Sequence, residues 1–272
     1  MELVEFYERI GLQAEIVQKL REVREKIDWM EFDSCLKQLM DGRSAASAYE
    51  NLKTQLGEDE ECIKMLCCQL ECARRAFAGY QEKQIPDTIY MDTMKCFPRF
   101  LEECRKKNGR MFFDRGWWTY RQVSMQLFRI GALEYQFQTY AGENVIALHI
   151  PSDADFSIEA VDASLEQAEK FFRMHYRHYY YEKYTCNSWL MSPVLQPLLP
   201  EASNIRSFQS RFDIVQVHKD DTEYIGWLFQ VPADTEYKDF PAKTSLQKKV
   251  RELLLHGGAV GSAYGVMKAR RG

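Results

Sequence analysis

No apolar run in this 272-residue chain approaches the roughly 18–20 residues that a membrane-spanning helix requires. The opening Met1-Glu2-Leu3-Val4-Glu5-Phe6 is acidic and amphipathic and lacks the positive region of a signal peptide, so the expected compartment is the cytoplasm and no membrane partner is expected. Charge of one sign is also missing. The net charge is −4, spread as −3 over residues 1–110 and −1 over the remainder, so no basic domain exists to take nucleic acid as a partner. The short basic tail Lys268-Ala269-Arg270-Arg271 reads as a solvated end. No CxxC pair occurs among the eight cysteines. Cys62, Cys67, Cys68 and Cys72 crowd into one helix-like segment, where Cys68 and Cys72 alone share a face, so the expected state is reduced thiols in place of a zinc site. HExxH, GxSxG and the kinase signatures are absent. Gly257-Gly258-Ala259-Val260-Gly261 lacks the lysine of a phosphate loop and precedes a strand, so it reads as a helix stop.

What is present divides at Asn108-Gly109. Before it, helical periodicity dominates. Leu12, Ile16, Leu20, Val23 and Ile27 recur on one face. The segment Glu58–Phe77 opens on four acidic residues, which suit a helix amino terminus; it stripes Ile63, Leu66, Leu70, Ala73 and Phe77, with Gly79 as the expected stop. After the boundary the period becomes two. Leu133, Tyr135 and Phe137 alternate with Glu134, Gln136 and Gln138, and Val145–Ile150 is apolar on both faces, as an interior strand is. A helix starts near Ser157 and carries Val161, Leu165, Ala168 and Phe172 inward. A strand ends in Thr185–Leu190, and a proline-marked helical stretch follows. Phe212–His218 and Tyr224–Val231 then read as a second hairpin around Asp220-Asp221-Thr222. Thr244-Ser245-Leu246-Gln247 is a capping box opening the last helix, ahead of a strand near Val260–Met267. The expected class is α+β: an all-helical domain at 1–110, then a mixed α/β sheet domain at 111–272.

The run from Trp117 to Phe212 resembles bacterial GNAT-like N-acyltransferases that carry a helical amino-terminal domain. The matching pieces are Leu127-Phe128-Arg129-Ile130-Gly131, Leu148-His149-Ile150-Pro151, Val161-Asp162-Ala163-Ser164-Leu165, Phe171-Phe172, Cys186-Asn187-Ser188-Trp189-Leu190 and Ser203-Asn204-Ile205. The resemblance implies a GNAT-type fold and acetyl-CoA or another acyl-CoA as donor to a small-molecule or peptide amine, received between the two domains. In that fold the strands 145–150 and 184–190 splay apart around the acyl-CoA arm, whose contacts would fall at Ile150, Ser157, Asn187, Trp189 and Asn204. Family members usually follow the first of these strands with a glycine-rich loop that holds a pyrophosphate on bare amides. Here Pro151–Ser157 has no glycine and two aspartates. The alternative to an enzyme is therefore a non-catalytic binding or interaction module of the same fold.

Ligands of open α/β sheets favour the carboxyl ends of parallel strands. His149 stands at one such end, with Cys186 and Ser188 on a shared face at the other. Candidate bases are His149 and Glu134; candidate proton donors are Ser188 and Tyr135; Cys186 is the candidate thiol nucleophile. Folding the hairpin about Gly142 pairs Tyr135 with His149, and a one-residue slip brings Glu134 there instead. His175 and His178 lack an acidic or thiol ligand in their run, so no metal is expected. The tyrosines at 176 and 179–181, with Tyr184, end a helix or line an acceptor pocket; Trp117, Trp118 and Tyr120 pack between elements or form a ligand platform.

Overall fold

The computed structural model describes residues 1–232 and 234–268, so positions 269–271 of the basic tail lie outside the described residues. Two compact units divide the chain after Ile130. The first is built from α1 (Leu3–Ile10), α2 (Ala14–Arg24), α3 (Trp29–Leu39), α4 (Ala45–Leu56), α5 (Ile63–Glu82), α6 (Asp87–Met94), α7 (Cys96–Asn108), α8 (Gly116–Val123) and the short β1 (Leu127–Ile130). Gly109, at φ 73°, closes α7. The second unit runs β2 (Leu133–Tyr140), β3 (Glu143–His149), α9 (Ile158–His175), β4 (Lys183–Ser188), two 3-10 turns (Trp189–Met191 and Pro193–Leu198), α10 (Asn204–Gln209), β5 (Phe212–His218), α11 (Glu223–Phe229), α12 (Ser245–Leu255) and β6 (Ser262–Met267).

Helix α5 is the axis of the first unit. Its residues Met65–Ala73 are continuously buried, which matches the expected stripe and extends it to all sides. The Asp59 carboxylate accepts the Lys64 and Met65 amides at 3.1 and 2.9 Å, so an acidic residue does serve this amino terminus. Gly79 does not stop the helix, which continues to Glu82. A Cβ at Gly79 would lie 2.9 Å from the Met125 sulfur; the glycine answers a close approach and not a turn. None of the eight cysteines forms a disulfide; seven are buried and Cys62 is half-buried.

One buried carboxylate ties α2, α3 and α5 together. Glu71, only 3% exposed, accepts from Arg74 and Arg75 at 2.8 and 2.9 Å on one oxygen and from Arg24 at 3.1 Å on the other. Arg75 reaches on to Asp33 at 2.8 Å, and Arg24 stacks over Trp29. Burial alone would raise the Glu71 carboxyl; the hydrogen bonds from Arg74 and Arg75 and the neighbouring guanidinium charges overcome it and bring the group down to about 2.

In the second unit the strand order is β2-β3-β4-β6-β5. β3 and β4 are parallel, as the connecting helix requires, and the other neighbours are antiparallel. Ser157 caps α9 by accepting the Ala160 amide at 3.3 Å, and the Thr244–Gln247 capping box is complete at α12. Tyr135 and Phe137 pack edge-on against Phe172, fixing α9 over one face of the sheet.

Two further expectations change. The hairpin register pairs Glu134 with His149 and Tyr135 with Leu148. The loop is only Ala141-Gly142, both at positive φ (52° and 84°), so pairing about Gly142 itself is off by one residue. The second change is larger: Tyr224–Val231 is not a strand. Residues 223–229 form α11, and β5 pairs with β6 from Phe212↔Met267 to His218↔Ser262. A short apolar run reads equally well as helix or strand. Here Tyr224 and Phe229 bury into a separate cluster with Leu195, Leu199, Phe240, Val250, Leu254 and Val260, which a strand along β5 would leave exposed.

A lowered carboxyl stabilises the fold above its unfolded value and loses that contribution as pH falls through the folded one. Glu71 therefore contributes on the order of 2–3 kcal/mol at neutral pH, lost between about pH 4.5 and 2. Glu71→Gln is expected to lower stability at pH 7 and to flatten the acid loss in that window, as followed by urea unfolding at stepped pH.

Candidate active site

Register and alternation sort the candidate residues onto two faces. Tyr135, Leu148, Cys186 and Ser188 point to the α9 side; Glu134, Gln136, Ala147, His149, Thr185, Asn187 and Tyr264 point to the other. The pairing thus brings His149 together with Glu134 and separates both from Tyr135, Cys186 and Ser188. β4 ends at Ser188, and Trp189 begins a 3-10 turn capped by the Ser188 hydroxyl, which accepts the Leu190 amide at 3.1 Å. Trp189 therefore leaves the strand face on which alternation placed it beside Asn187.

The hydrogen-bonded ladder between β3 and β4 stops at Leu148↔Cys186. Each strand nevertheless stays paired to its outer neighbour beyond that point, through Glu134↔His149 on one side and Ser188↔Ala263 on the other. Among the described residues the β3–β4 register does not continue to His149-Ile150 and Asn187-Ser188. A strand-like arm of a ligand can pair there.

The face carrying His149 is polar yet buried. Glu134 is 3% exposed, Gln136 7% and Thr185 fully covered, with His149 itself half-buried. A hydrogen bond of 2.9 Å joins His149 Nε2 to Gln136 Oε1, and Gln138 Nε2 donates to that same oxygen at 3.2 Å. Tyr140 and Tyr264 stack at 4.7 Å over this face. Gln136 escapes a sequence reading because alternation with Leu133, Tyr135 and Phe137 marks it as a solvated residue; its burial and the correct hairpin register are what reveal it.

On the opposite face, Tyr135 is fully buried and its phenol shares a 2.8 Å bond with Ser164, whose oxygen also accepts the Leu133 amide. Cys186 is buried as well, and desolvation pushes its thiol up to about 12. Ser188 is half-buried at the strand end.

The loop after β3 is held by its own groups. Asp155 accepts the Ser157 amide at 3.0 Å, which lowers its carboxyl pKa and keeps it anionic, while the Ser157 hydroxyl takes the Ala160 amide. These amides are not open to a pyrophosphate, and the residues do not fit one there. Asn204 is exposed at the first turn of α10, with Ser203 as its cap.

The tyrosines beyond α9 line a cavity of about 870 Å³ that includes Phe172, Tyr176, Tyr181 and Tyr184. It sits at the amino end of β4, opposite the end that carries Ser188. Tyr179 pins that segment to the sheet by donating to the Gln138 and Val145 carbonyls. Trp118 and Tyr120 stack on Arg121 within the first unit. Among the described residues no three His, Cys, Asp or Glu side chains gather as a metal site would need, and no helix is long and apolar enough to cross a membrane.

A mixed sheet whose central parallel strands stop pairing at their carboxyl ends, crossed by one helix and preceded by a helical unit, defines a GNAT-like domain. Residues 1–125 match the N-acyltransferase N-terminal domain family, and residues 127–267 match the GNAT-like C-terminal domain family. The chain belongs to the GNAT-like N-acyltransferases. No curated relative matches the sequence. Among solved structures, an acyltransferase in complex with decanoyl-CoA and teicoplanin superposes with a TM-score of 0.73 at 18% identity, covering 98% of this chain and 99% of that one. An acyltransferase with CoA and 10C-teicoplanin gives the same values. An acyltransferase with decanoyl-CoA alone gives 0.72 at 19% identity, with the same coverage. At such identities the likeness establishes the fold.

The burial of Cys186 has a direct consequence. Desolvation keeps the Cys186 thiol protonated near neutral pH, so the thiolate that alkylation needs is scarce. Mass spectrometry after iodoacetamide treatment of the native protein is expected to find Cys62 modified first and Cys186 only after denaturation.

Proposed function

We propose that the protein transfers an acyl group from an acyl-CoA to the amine of a small molecule or peptide. The observation that carries this reading is the end of the β3–β4 ladder with His149 beside it. The backbone edges of Ile150, Asn187 and Ser188 fit an extended pantetheine-like arm, and Trp189 follows directly on β4 at the start of the first 3-10 turn. Asn204 is the proposed contact further out, since the loop after β3 does not fit a pyrophosphate. Family membership and the acyl-CoA complexes of the similar structures support this reading.

When bound, the thioester supplies an acyl carbon open to attack by the amine nitrogen, with loss of the C–S bond. His149 takes the proton released by the attacking amine, and Glu134, its register partner on the same face, favours the resulting imidazolium. Ser188, whose hydroxyl oxygen already accepts the Leu190 amide, has its O–H proton to give to the departing sulfur. Cys186 takes no part, because its thiol stays protonated. Tyr135 serves the core, through Ser164. The sum is one amide and one free thiol from one thioester and one amine.

The acidic, glycine-free loop favours a second reading, a GNAT-fold module that binds a ligand without transferring an acyl group. Thermal denaturation separates the two. Free CoA or acetyl-CoA at about a hundred times its dissociation constant stabilises a binding protein by about 2.7 kcal/mol, a shift of a few degrees in a chain of this size. That shift is expected here, and its absence at millimolar ligand favours the module. Where CoA binds, His149→Ala is expected to retain the shift while kcat falls by about 10²–10⁴, and Cys186→Ser is expected to keep transfer.

A further inference from the structure

We infer that the tyrosine-lined cavity at the end of α9 is a second ligand site, one that binds an organic ammonium ion carrying an apolar or aromatic body. The cavity, of about 870 Å³, lies wholly within the second unit and is large enough for a drug-sized ligand. It is remote from the proposed donor site. Tyr184 and Ser188 stand four residues apart on β4, about 13 Å of strand. Helix α9 carries the chain from the loop at Ser157 to the cavity over its full 18 residues. The second site therefore does not depend on the acyl-transfer reading.

Three features of the cavity favour positive charge. The first is its walls. Phe172 and Tyr181 meet at 5.7 Å and 72°, and Tyr181 and Tyr184 at 5.4 Å and 74°, so neighbouring rings form a corner and not a flat stack. A corner of this kind offers a cation more than one π face. The Tyr181 and Tyr184 hydroxyls share a 3.0 Å bond that holds it in place. The second feature is the helix. The cavity sits at the carboxyl end of α9, whose last carbonyls form the negative pole of the helix dipole. The third is the balance of charged side chains. Lys170 is bound to Glu166 at 2.7 Å and Arg173 to Glu169 at 3.2 Å, which neutralises both. Arg177 and Glu182, exposed at the rim, take part in no ion pair among the described residues and offset each other. Burial raises the Tyr181 phenol and its bond to Tyr184 lowers it; of the two charges acting on it, Glu169 outweighs Arg173. An anion could use Arg177, but it would meet the helix pole and the electron-rich rings.

The test is calorimetric titration of the full-length protein, at low ionic strength, with three probes that share one ring: benzyltrimethylammonium, benzyl alcohol and benzoate. Benzyltrimethylammonium is expected to bind about tenfold more tightly than either of the others, and saturating CoA is expected not to displace it. Tyr181→Ala is expected to weaken the ammonium by about tenfold, while Tyr181→Phe, which keeps the ring, retains it. Two exposed rim substitutions test the charge without touching the packing. Glu182→Gln is expected to weaken the ammonium by about two- to threefold, and Arg177→Gln to strengthen it by about as much. Benzoate binding most tightly, or all three probes binding alike, overturns the inference. No binding of the ammonium at millimolar concentration overturns it too, as does an affinity left unchanged by Tyr181→Ala or by both rim substitutions. Displacement by CoA also overturns it, because the probe would then occupy the donor site.

Discussion

Four rungs of parallel pairing, from Val145↔Lys183 to Leu148↔Cys186, set up nearly everything else in the second unit. Parallel strands cannot be joined by a tight turn, so the chain must cross back through α9, and the helix must bury its apolar stripe on the sheet. That crossing places Ser164 against Tyr135 and Phe172 among Tyr135 and Phe137. The same four rungs then end one residue short of His149. β2 and β6 still pair with the outer edges past that point, through Glu134↔His149 and Ser188↔Ala263, so both strand ends are held in a fixed frame. A rigid gap of this kind presents a ligand arm with partners already oriented, which lowers the ordering cost of binding.

The two faces of the sheet are built for different ends. The α9 side is aromatic; the Tyr135 phenol bonds Ser164 and the Tyr179 phenol donates to the Gln138 and Val145 carbonyls. The other side buries Glu134, Gln136 and Thr185, an arrangement that costs free energy unless every group finds a partner. A core built for stability alone would place apolar residues there. Stability is supplied elsewhere, in the guanidinium cluster around Glu71 and in the apolar cluster of residues 195–260, both remote from His149 in sequence.

The sequence carried the architecture where local chemistry decides it. Ser157 and the Thr244–Gln247 box announce helix starts through side chains that serve their own backbone, and the strand–helix–strand order forces the parallel pair. It failed where the deciding partner is distant. Tyr224–Phe229 turns helical because its aromatic residues meet Leu195 and Phe240, which no window around 224 contains. Gly79 looked like punctuation and is a contact point for Met125. The hairpin register hung on Ala141 adopting positive φ beside Gly142, a conformation that a non-glycine residue does not advertise. For the site, that single residue mattered most. His149 and Glu134 were readable as polar groups near a strand end, but their opposition required the two-residue turn, and Gln136 required its burial to be known.

The central claim is that the donor lies between the carboxyl ends of β3 and β4. Hydrogen–deuterium exchange of the full chain with and without saturating CoA addresses it directly. The account predicts slowed exchange at the amides of Ile150 and of Asn187–Leu190, the edges left beyond the ladder. Binding of CoA that leaves those amides unchanged and protects only the cavity around Tyr181 and Tyr184, or another surface, would contradict it.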